Sequence, residues 1–316
     1  VISYSAAISA CEKGEAWEVA LSMLAQMQDH VLDPDAISFC ATISACEKVG
    51  QWERALWLLS KLQEQGLETP VIGHSAAISA CGRGSQWGRA LAILSEMQGS
   101  GMLPNVVTYS AAITACERGV RWECALGLLA EMAARSVEAS VVSYNAAISA
   151  CEKCAQWERA VGILAEMRAA AVETREITYN AVISACENSH QWERALRTLA
   201  MMQEHGLEPN VISFNAAISA CEKGQQWERA LDLFAAIGAR SMDPNVISYS
   251  AAISACDDRS RWEHGLCLWV DMCMRRLEPA VISYSAAISV CEKGQRWEAA
   301  LALFLEMEER GLEQDV

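Results

Sequence analysis

VISYSAAISAC, residues 1–11, is the stretch that decides the fold. Near-copies of it recur along the whole chain, each closing on a cysteine: Cys11, Cys46, Cys81, Cys116, Cys151, Cys186, Cys221, Cys256 and Cys291. The step is 35 residues throughout, with no insertion or deletion. A tryptophan keeps the same step at Trp17, Trp52, Trp87, Trp122, Trp157, Trp192, Trp227, Trp262 and Trp297. A fixed period of this size marks a stacked repeat array. The units are 1–35, 36–70, 71–105, 106–140, 141–175, 176–210, 211–245, 246–280 and 281–315, and Val316 opens a further one. There is no initial Met and both ends cut into repeating sequence. The expectation is a piece of a longer array, with caps and any targeting peptide outside it.

One unit reads as two helices. Tyr4, Ala7, Ile8 and Cys11 fall at i, i+3, i+4 and i+7, which is one face of a helix. Gly14 follows as a helix stop, and Gly84, Gly119, Gly224 and Gly294 fill the same slot. Trp17, Ala20, Leu21, Leu24 and Met27 make a second helical stripe, and Pro34 breaks the chain before the next unit. Each unit is thus an antiparallel pair, with helix A first and helix B second. The Ala20 slot is small so that B can approach A closely; only Gly265 departs from Ala there. A lone pair cannot bury such stripes, whereas stacked pairs build one continuous core. The Trp, Met and Cys stripes are read as that core.

Composition excludes several classes. Hydrophobic residues make up 52% of the chain, yet charged or polar residues interrupt every apolar run well short of a membrane span. Equivalent atoms of packed helices lie about 8–10 Å apart, beyond the roughly 7 Å limit for a disulfide's Cα atoms. The repeat cysteines are therefore expected as small buried thiols. Cys151 and Cys154 form a C-x-x-C, but no second pair accompanies it, so no metal site is expected. His30, His74, His190, His205 and His264 fall at unrelated slots. No nucleophile–base arrangement, phosphate loop or paired-carboxylate site stands out. The expectation is no enzyme, no cofactor, no membrane and no small-molecule substrate.

A 35-residue helix pair of the pattern V-I-S-Y-S/N-x-x-I-S-A-C-E-K-G-x-x-W-E-x-A-L, ending G-L-x-P-N/D, resembles the pentatricopeptide repeat of the P type. The resemblance covers the chain nine times over. It implies an all-α, right-handed superhelical solenoid. It also implies sequence-selective binding of single-stranded RNA, one base per unit, in RNA processing, stabilisation or translation in a chloroplast or mitochondrion. RNA-processing proteins are the further partners it implies.

Three contact positions follow from the resemblance. The second residue of each unit would wedge between bases: Ile2, Ile37, Ile72, Val107, Val142, Ile177, Ile212, Ile247 and Ile282. The competing reading is a core residue where helix A begins. The fifth and last residues would read the base as a pair: Ser5 with Asp35, Cys40 with Pro70, Ser75 with Asn105, Ser110 with Ser140, Asn145 with Arg175, Asn180 with Asn210, Asn215 with Asn245, Ser250 with Ala280, and Ser285 with Asp315. The fifth position varies beside unvarying core residues, so it is expected to face solvent or ligand. A carboxylate suits guanine's donors and a neutral amide suits adenine's mixed edge. The family's code gives a 5′-to-3′ target G-N-A-R-Y-Y-Y-R-G, with Cys40–Pro70 and Ser250–Ala280 departing from it. Third, Lys13, Lys48, Arg83, Arg118, Lys153, Lys223 and Lys293 would face the phosphates, a row broken by Asn188 and Asp258. The competing reading is a cation favoured at a helix C-terminus.

Net charge is −15, against non-specific attraction to nucleic acid. Much of the acid lies on helix B, from Glu18 and Glu53 to Glu306, so a less acidic groove along helix A is expected inside an acidic shell. The alternative function is a protein-binding scaffold, whose extended surface would draw in a basic peptide.

Overall fold

The computed structural model describes residues 2–30, 32, 34–67, 69–257 and 261–312, and only the backbone of Ile2, Gln28 and Asp29. Every described element is a helix. In chain order they are α1 (Ile2–Lys13), α2 (Trp17–Asp29), α3 (Ala36–Val49), α4 (Trp52–Glu64), α5 (Val71–Arg83), α6 (Trp87–Gly99), α7 (Val106–Arg118), α8 (Trp122–Ala134) and α9 (Val141–Lys153). They continue as α10 (Trp157–Ala169), α11 (Glu176–Asn188), α12 (Trp192–Glu204), α13 (Val211–Lys223), α14 (Trp227–Ala239), α15 (Val246–Ala255), α16 (Trp262–Met274), α17 (Val281–Lys293) and α18 (Trp297–Glu309). Odd helices are A and even helices are B. No described helix is long and apolar enough to cross a membrane.

The chain divides into two compact bodies: Val1–Cys154 with Ala169–Val172, and Ala155–Arg168 with Glu173–Val316. Within each, an A helix packs on its own B helix and on the next A helix, and a B helix packs on the following A helix. Among the described residues of either body, no two B helices bring their backbones within 8 Å of each other. The A helices form the tight row and the B helices the splayed one. Small side chains permit that closeness: a Cβ added to Gly82 of α5 would lie 3.1 Å from the Cβ of Ala115 on α7.

The predicted stripes form the core. In the first body Ile8, Ile43, Ile78, Ile113 and Ile148 are fully buried beside Ala20, Ala55, Ala90 and Ala125, with Met27, Leu62, Met97 and Met132 beneath. The second body repeats this with Ile183, Ile218, Ile253, Met167, Met202 and Met272. Burying one such side chain stabilises by about 1.5–3 kcal/mol. The repeat thiols from Cys46 to Cys291 are buried, and Cys11 is half-buried. Burial pushes the Cys46 thiol up to about 11 and the Cys116 thiol to about 12, so both stay protonated at neutral pH.

Two expectations change. The tryptophans are not core: Trp17 to Trp262 are half-buried and Trp297 is exposed. They sit at the joint between units, where an arginine of the next unit covers the ring face. Arg89 lies 4.4 Å from the Trp52 ring centre, Arg121 4.7 Å from Trp87, Arg194 5.4 Å from Trp157 and Arg261 3.9 Å from Trp227. Such contacts contribute about 0.5–1 kcal/mol each when exposed. Nor is the turn glycine a left-handed helix stop. Gly84 has φ −81° and Gly119 φ −78°; the left-handed residue comes next, at Ser85 and Val120. At these two glycines the preceding unit's tryptophan fills the space a side chain would take: a Cβ on Gly84 would fall 2.1 Å from Trp52, and one on Gly119 2.4 Å from Trp87.

The exception at Gly265 has a packing reason. A Cβ there would meet Val290 Cγ1 at 2.8 Å. Val290 stands where the other units carry Ala, so one enlarged side chain on α17 faces one truncated side chain on α16. Gly265→Ala should therefore lower stability by about 1–3 kcal/mol through overpacking. Adding Val290→Ala, which restores the Ala–Ala combination of the other units, should recover stability even though it truncates a buried side chain. Urea midpoints of the two single variants and the double variant check this through the sign of the coupling.

Candidate nucleic-acid interface

Among the described residues, the last residue of a unit is the N-cap of the next unit's helix A. Asp35, Asn105, Ser140, Asn210 and Asn245 are extended N-cap residues whose side chains accept the backbone N–H three residues on. The distance is 2.9 Å for Asp35 Oδ1 to Ser38 N and 3.0 Å for Asn245 Oδ1 to Ser248 N. Pro70 and Ala280 begin helices with no side-chain cap. The predicted reading residue is thus also the residue that starts a helix.

The fifth residues lie one turn into helix A. Ser75, Ser110, Asn215 and Ser250 are 6–9% exposed, Ser5, Asn145 and Asn180 are half-buried, and Ser285 is exposed. Most are therefore not the open, solvent-facing groups expected from their variability. The cause is the close A–A packing, which brings the next unit's third residue against them. Ser5 meets Ser38 at 2.9 Å, Ser75 meets Thr108 at 2.7 Å, Ser110 meets Ser143 at 2.8 Å, and Ser250 meets Ser283 at 2.7 Å, all through hydroxyl oxygens. Ser213 donates to Asn180 Oδ1 and Ser248 to Asn215 Oδ1, each at 2.6 Å. Two reading pairs also touch directly: Ser110 and Ser140 oxygens at 3.3 Å, and Asn215 Nδ2 donating to Asn245 Oδ1 at 3.1 Å. Arg175 is exposed, with Glu173 at 3.3 Å. Asp315 and the side chain of Ile2 lie outside the described residues.

The second residues do the opposite. Ile37, Ile72, Val107, Val142, Ile177, Ile212, Ile247 and Ile282 are 60–71% exposed, although apolar and at regular intervals. The core alternative is thereby excluded for these eight. In the first body a cavity of about 620 Å³ gathers the predicted groups: Ile72, Val107 and Val142 with Ser75, Asn105, Ser110, Ser140, Arg83 and Arg118.

The cation row reaches backward along the A helices. Lys48 Nζ donates to the Glu12 carbonyl at 2.8 Å and Arg83 to the Lys48 carbonyl at 3.1 Å. Lys153 pairs with Glu117 at 2.6 Å and Lys223 with Glu187 at 3.1 Å. Lys293 is 4.0 Å from Glu292, and Lys13 and Arg118 are exposed. These groups therefore support the preceding helix C-terminus as well as facing outward. Exposed pairs of this kind contribute only about 0–1 kcal/mol, so a phosphate can compete for the cation. The neighbouring acids keep the track near neutral. Burial pushes the Glu222 carboxyl up, Lys223 pulls it down, and Glu187 and Asp257 raise it again.

Missed in the sequence were the third residues. Ser38, Thr108, Ser143, Thr178, Ser213, Ser248 and Ser283 are fully buried. For all but Thr178 and Ser283 the signal was a hydroxyl three residues after a capping Asn, Asp or Ser, in capping-box spacing.

A family model described as "Pentatricopeptide repeat domain" matches residues 57–118, 127–189 and 163–225. One described as "PPR repeat family" matches 209–258, and "PPR repeat" matches 2–30, 37–67, 107–137 and 282–312. No curated protein matches. Among solved structures, the pentatricopeptide repeat protein PPR10 in complex with an 18-nucleotide psaJ RNA element is similar over 95% of this chain and 44% of its own, at 18% identity and TM-score 0.76. The maize PPR10 structure is similar over 98% of this chain and 49% of its own, at 23% identity and TM-score 0.65. The chain thus spans under half the length of either.

The cap makes a prediction of its own. The Ser38 hydroxyl, more than the opposing desolvation, holds the Asp35 carboxyl below its ordinary value. A folded value below the unfolded one stabilises at neutral pH, and that contribution is lost as pH falls through the folded value. Asp35→Ala should cost about 1 kcal/mol at neutral pH, whereas Asp35→Asn keeps the cap. The difference in unfolding midpoint between the unaltered protein and the Asn variant should shift toward the Asn variant as pH falls to about 3.

Proposed function

The chain belongs to the pentatricopeptide repeat family, and from that premise we propose that it binds single-stranded RNA, each of its nine 35-residue units addressing one base. The observation that carries the proposal is the groove of the first body, where exposed aliphatic side chains, polar pairs and arginines line one cavity. An exposed Ile or Val on either side of a polar pair offers a slot for a flat ring. Apolar contact with the base faces contributes affinity without regard to sequence, while the polar pair meets the Watson–Crick edge. One of the similar structures, PPR10, is a complex with an RNA element, which supports the same reading.

The work assigned to it is in a chloroplast or mitochondrion, where it acts by occupying a transcript: shielding an end, remodelling a hairpin or recruiting a processing protein. Affinity comes mainly from stacking and edge contacts. The row offers seven cations at most, several of them already engaged. The slope of log affinity against log salt should therefore be no steeper than about −5, at roughly −0.7 per phosphate contact.

Fluorescence anisotropy with the nine-mer G-N-A-R-Y-Y-Y-R-G and a scrambled nine-mer of the same composition, at two salt concentrations, is the test. Tighter binding of the ordered nine-mer at both is expected; equal binding defeats the register, and no binding to either defeats the proposal. Ile212→Ala should weaken every RNA alike, by about 1 kcal/mol or somewhat more, while leaving the melting temperature nearly unchanged because Ile212 is 63% exposed.

A further inference from the structure

A capping box uses its third-residue hydroxyl for its own helix start. Here the same oxygen also crosses to the preceding unit. Ser248 Oγ lies 2.6 Å from Asn215 Oδ1 and 3.0 Å from Asn245 Oδ1, between both members of one reading pair. Ser213 stands alike between Asn180, at 2.6 Å, and Asn210, at 3.1 Å. Its one proton goes to the nearer carbonyl, that of Asn215 or Asn180, while the same residue's backbone N–H holds the carbonyl of Asn245 or Asn210 at 3.0 Å.

That geometry settles which atoms a base meets. The Ser248 N–H can only donate, so the Asn245 atom 3.0 Å from it is the carbonyl oxygen. The Asn215 atom 3.1 Å from that oxygen must then be its NH₂. Both oxygens are tied to Ser248, and what remains for a ligand is N–H: the whole NH₂ of Asn245 and the second N–H of Asn215. Donors suit the acceptor-rich edge of a pyrimidine, with O2 and N3 of cytosine or the two carbonyls of uracil. Were the hydroxyl absent, Asn245 would still be held by the Ser248 N–H, but the Asn215 carbonyl would lose its donor, and that amide could swing away and offer an acceptor in place of a donor.

Among the described interfaces, one departs from the arrangement at every position. Cys40 and Pro70 replace the pair and Gly73 replaces the hydroxyl. A Cβ on Gly73 would fall 2.9 Å from Cys40 Sγ, so Cys40 and Gly73 depart together for a steric reason. Capping alone does not explain this, since Ala280 also lacks a cap while Ser283 keeps its hydroxyl bond to Ser250 at 2.7 Å.

We propose that the third residue of each unit is a positioning residue for base discrimination: its hydroxyl orients the fifth side chain of the unit before it, beside a last side chain held by the same residue's N–H, and the Cys40–Pro70–Gly73 interface accepts any base. This rests on the RNA-binding reading above. The test uses the full 316-residue chain and nine-mers differing only at the seventh base. In the unaltered chain pyrimidines should bind tighter than purines there. Ser248→Ala should bring that ratio down toward one, a loss on the order of ten-fold, with preferences at the other positions kept. Ser248→Thr, the residue found at Thr108 and Thr178, should preserve it. Weaker binding of all nine-mers by Ser248→Ala at an undiminished ratio would leave Ser248 merely a helix cap and overturn the proposal. A chain with no preference at the seventh base would instead overturn the RNA register on which it stands. At the second base, Cys40→Ser with Pro70→Asn should stay indifferent and gain a preference only when Gly73→Ser is added. A preference without that addition, or none with it, also counts against the hydroxyl.

Discussion

The close approach of one A helix to the next is the constraint on which everything else depends. No hairpin of this chain can bury its own stripes. Ile8 and Met27 are fully buried only because α3 lies against α1 and α2. That packing is tightest where Gly82 of α5 meets Ala115 of α7, with an added Cβ falling 3.1 Å from the alanine's. It also explains the unbroken 35-residue step. One inserted residue would rotate a helix by about 100° and turn its small face away from its neighbour. Because the A helices pack closely while the backbones of the B helices of one body stay apart, residues near the start of helix A are drawn together along one side. The wedge, the reading pair and the cation all belong to that row or to its edges.

Periodicity made the helices, their order and most of the core legible, because burial of a stripe depends only on its own spacing. It was less informative about side chains whose surroundings come from the next unit. Trp52 looks like core by spacing, yet it sits at a joint under Arg89, a residue 37 positions on. Gly84 looks like a helix stop, yet its φ is ordinary and Trp52 accounts for it. Ser75 varies like a surface residue, yet Thr108 covers it. Each of these properties belongs to an interface, and reading one unit at a time could not reveal it. The aliphatic second residues were legible for the opposite reason. Nothing in the next unit covers them, and their 60–71% exposure is what a ligand-facing side chain requires.

The acidic total sorts itself by helix. On helix A a Glu is usually followed directly by Lys or Arg, as in Glu47–Lys48 and Glu117–Arg118, and ion pairs such as Lys153 with Glu117 link successive units. The B helices carry the excess acid. A chain of net charge −15 thus keeps a nearly neutral track along the A row. A polyanion on such a track gains little from long-range attraction. It must be held by short-range contact, which depends on base shape and edge chemistry. On the RNA-binding reading proposed above, the acid of the B helices works against non-specific RNA more than against a matched one.

The same reasoning explains where the units are free to differ. Asn, Asp and Ser are nearly equal as N-caps, within a few tenths of a kcal/mol of one another. The last residue of a unit can therefore change its hydrogen-bonding character while the helix behind it starts equally well. Asp35, Asn105, Ser140 and Asn245 are four such solutions to one structural requirement. The fifth residue has similar latitude, since Ser and Asn both reach the buried hydroxyl of the next unit. The third residue has none, because it must be small enough for the A–A packing and must also carry that hydroxyl. Among polar side chains only Ser and Thr meet both conditions. The array can thus vary its fifth and last positions without altering its pitch, provided the residue between them stays fixed, and Gly73 appears where both of its partners have been given up.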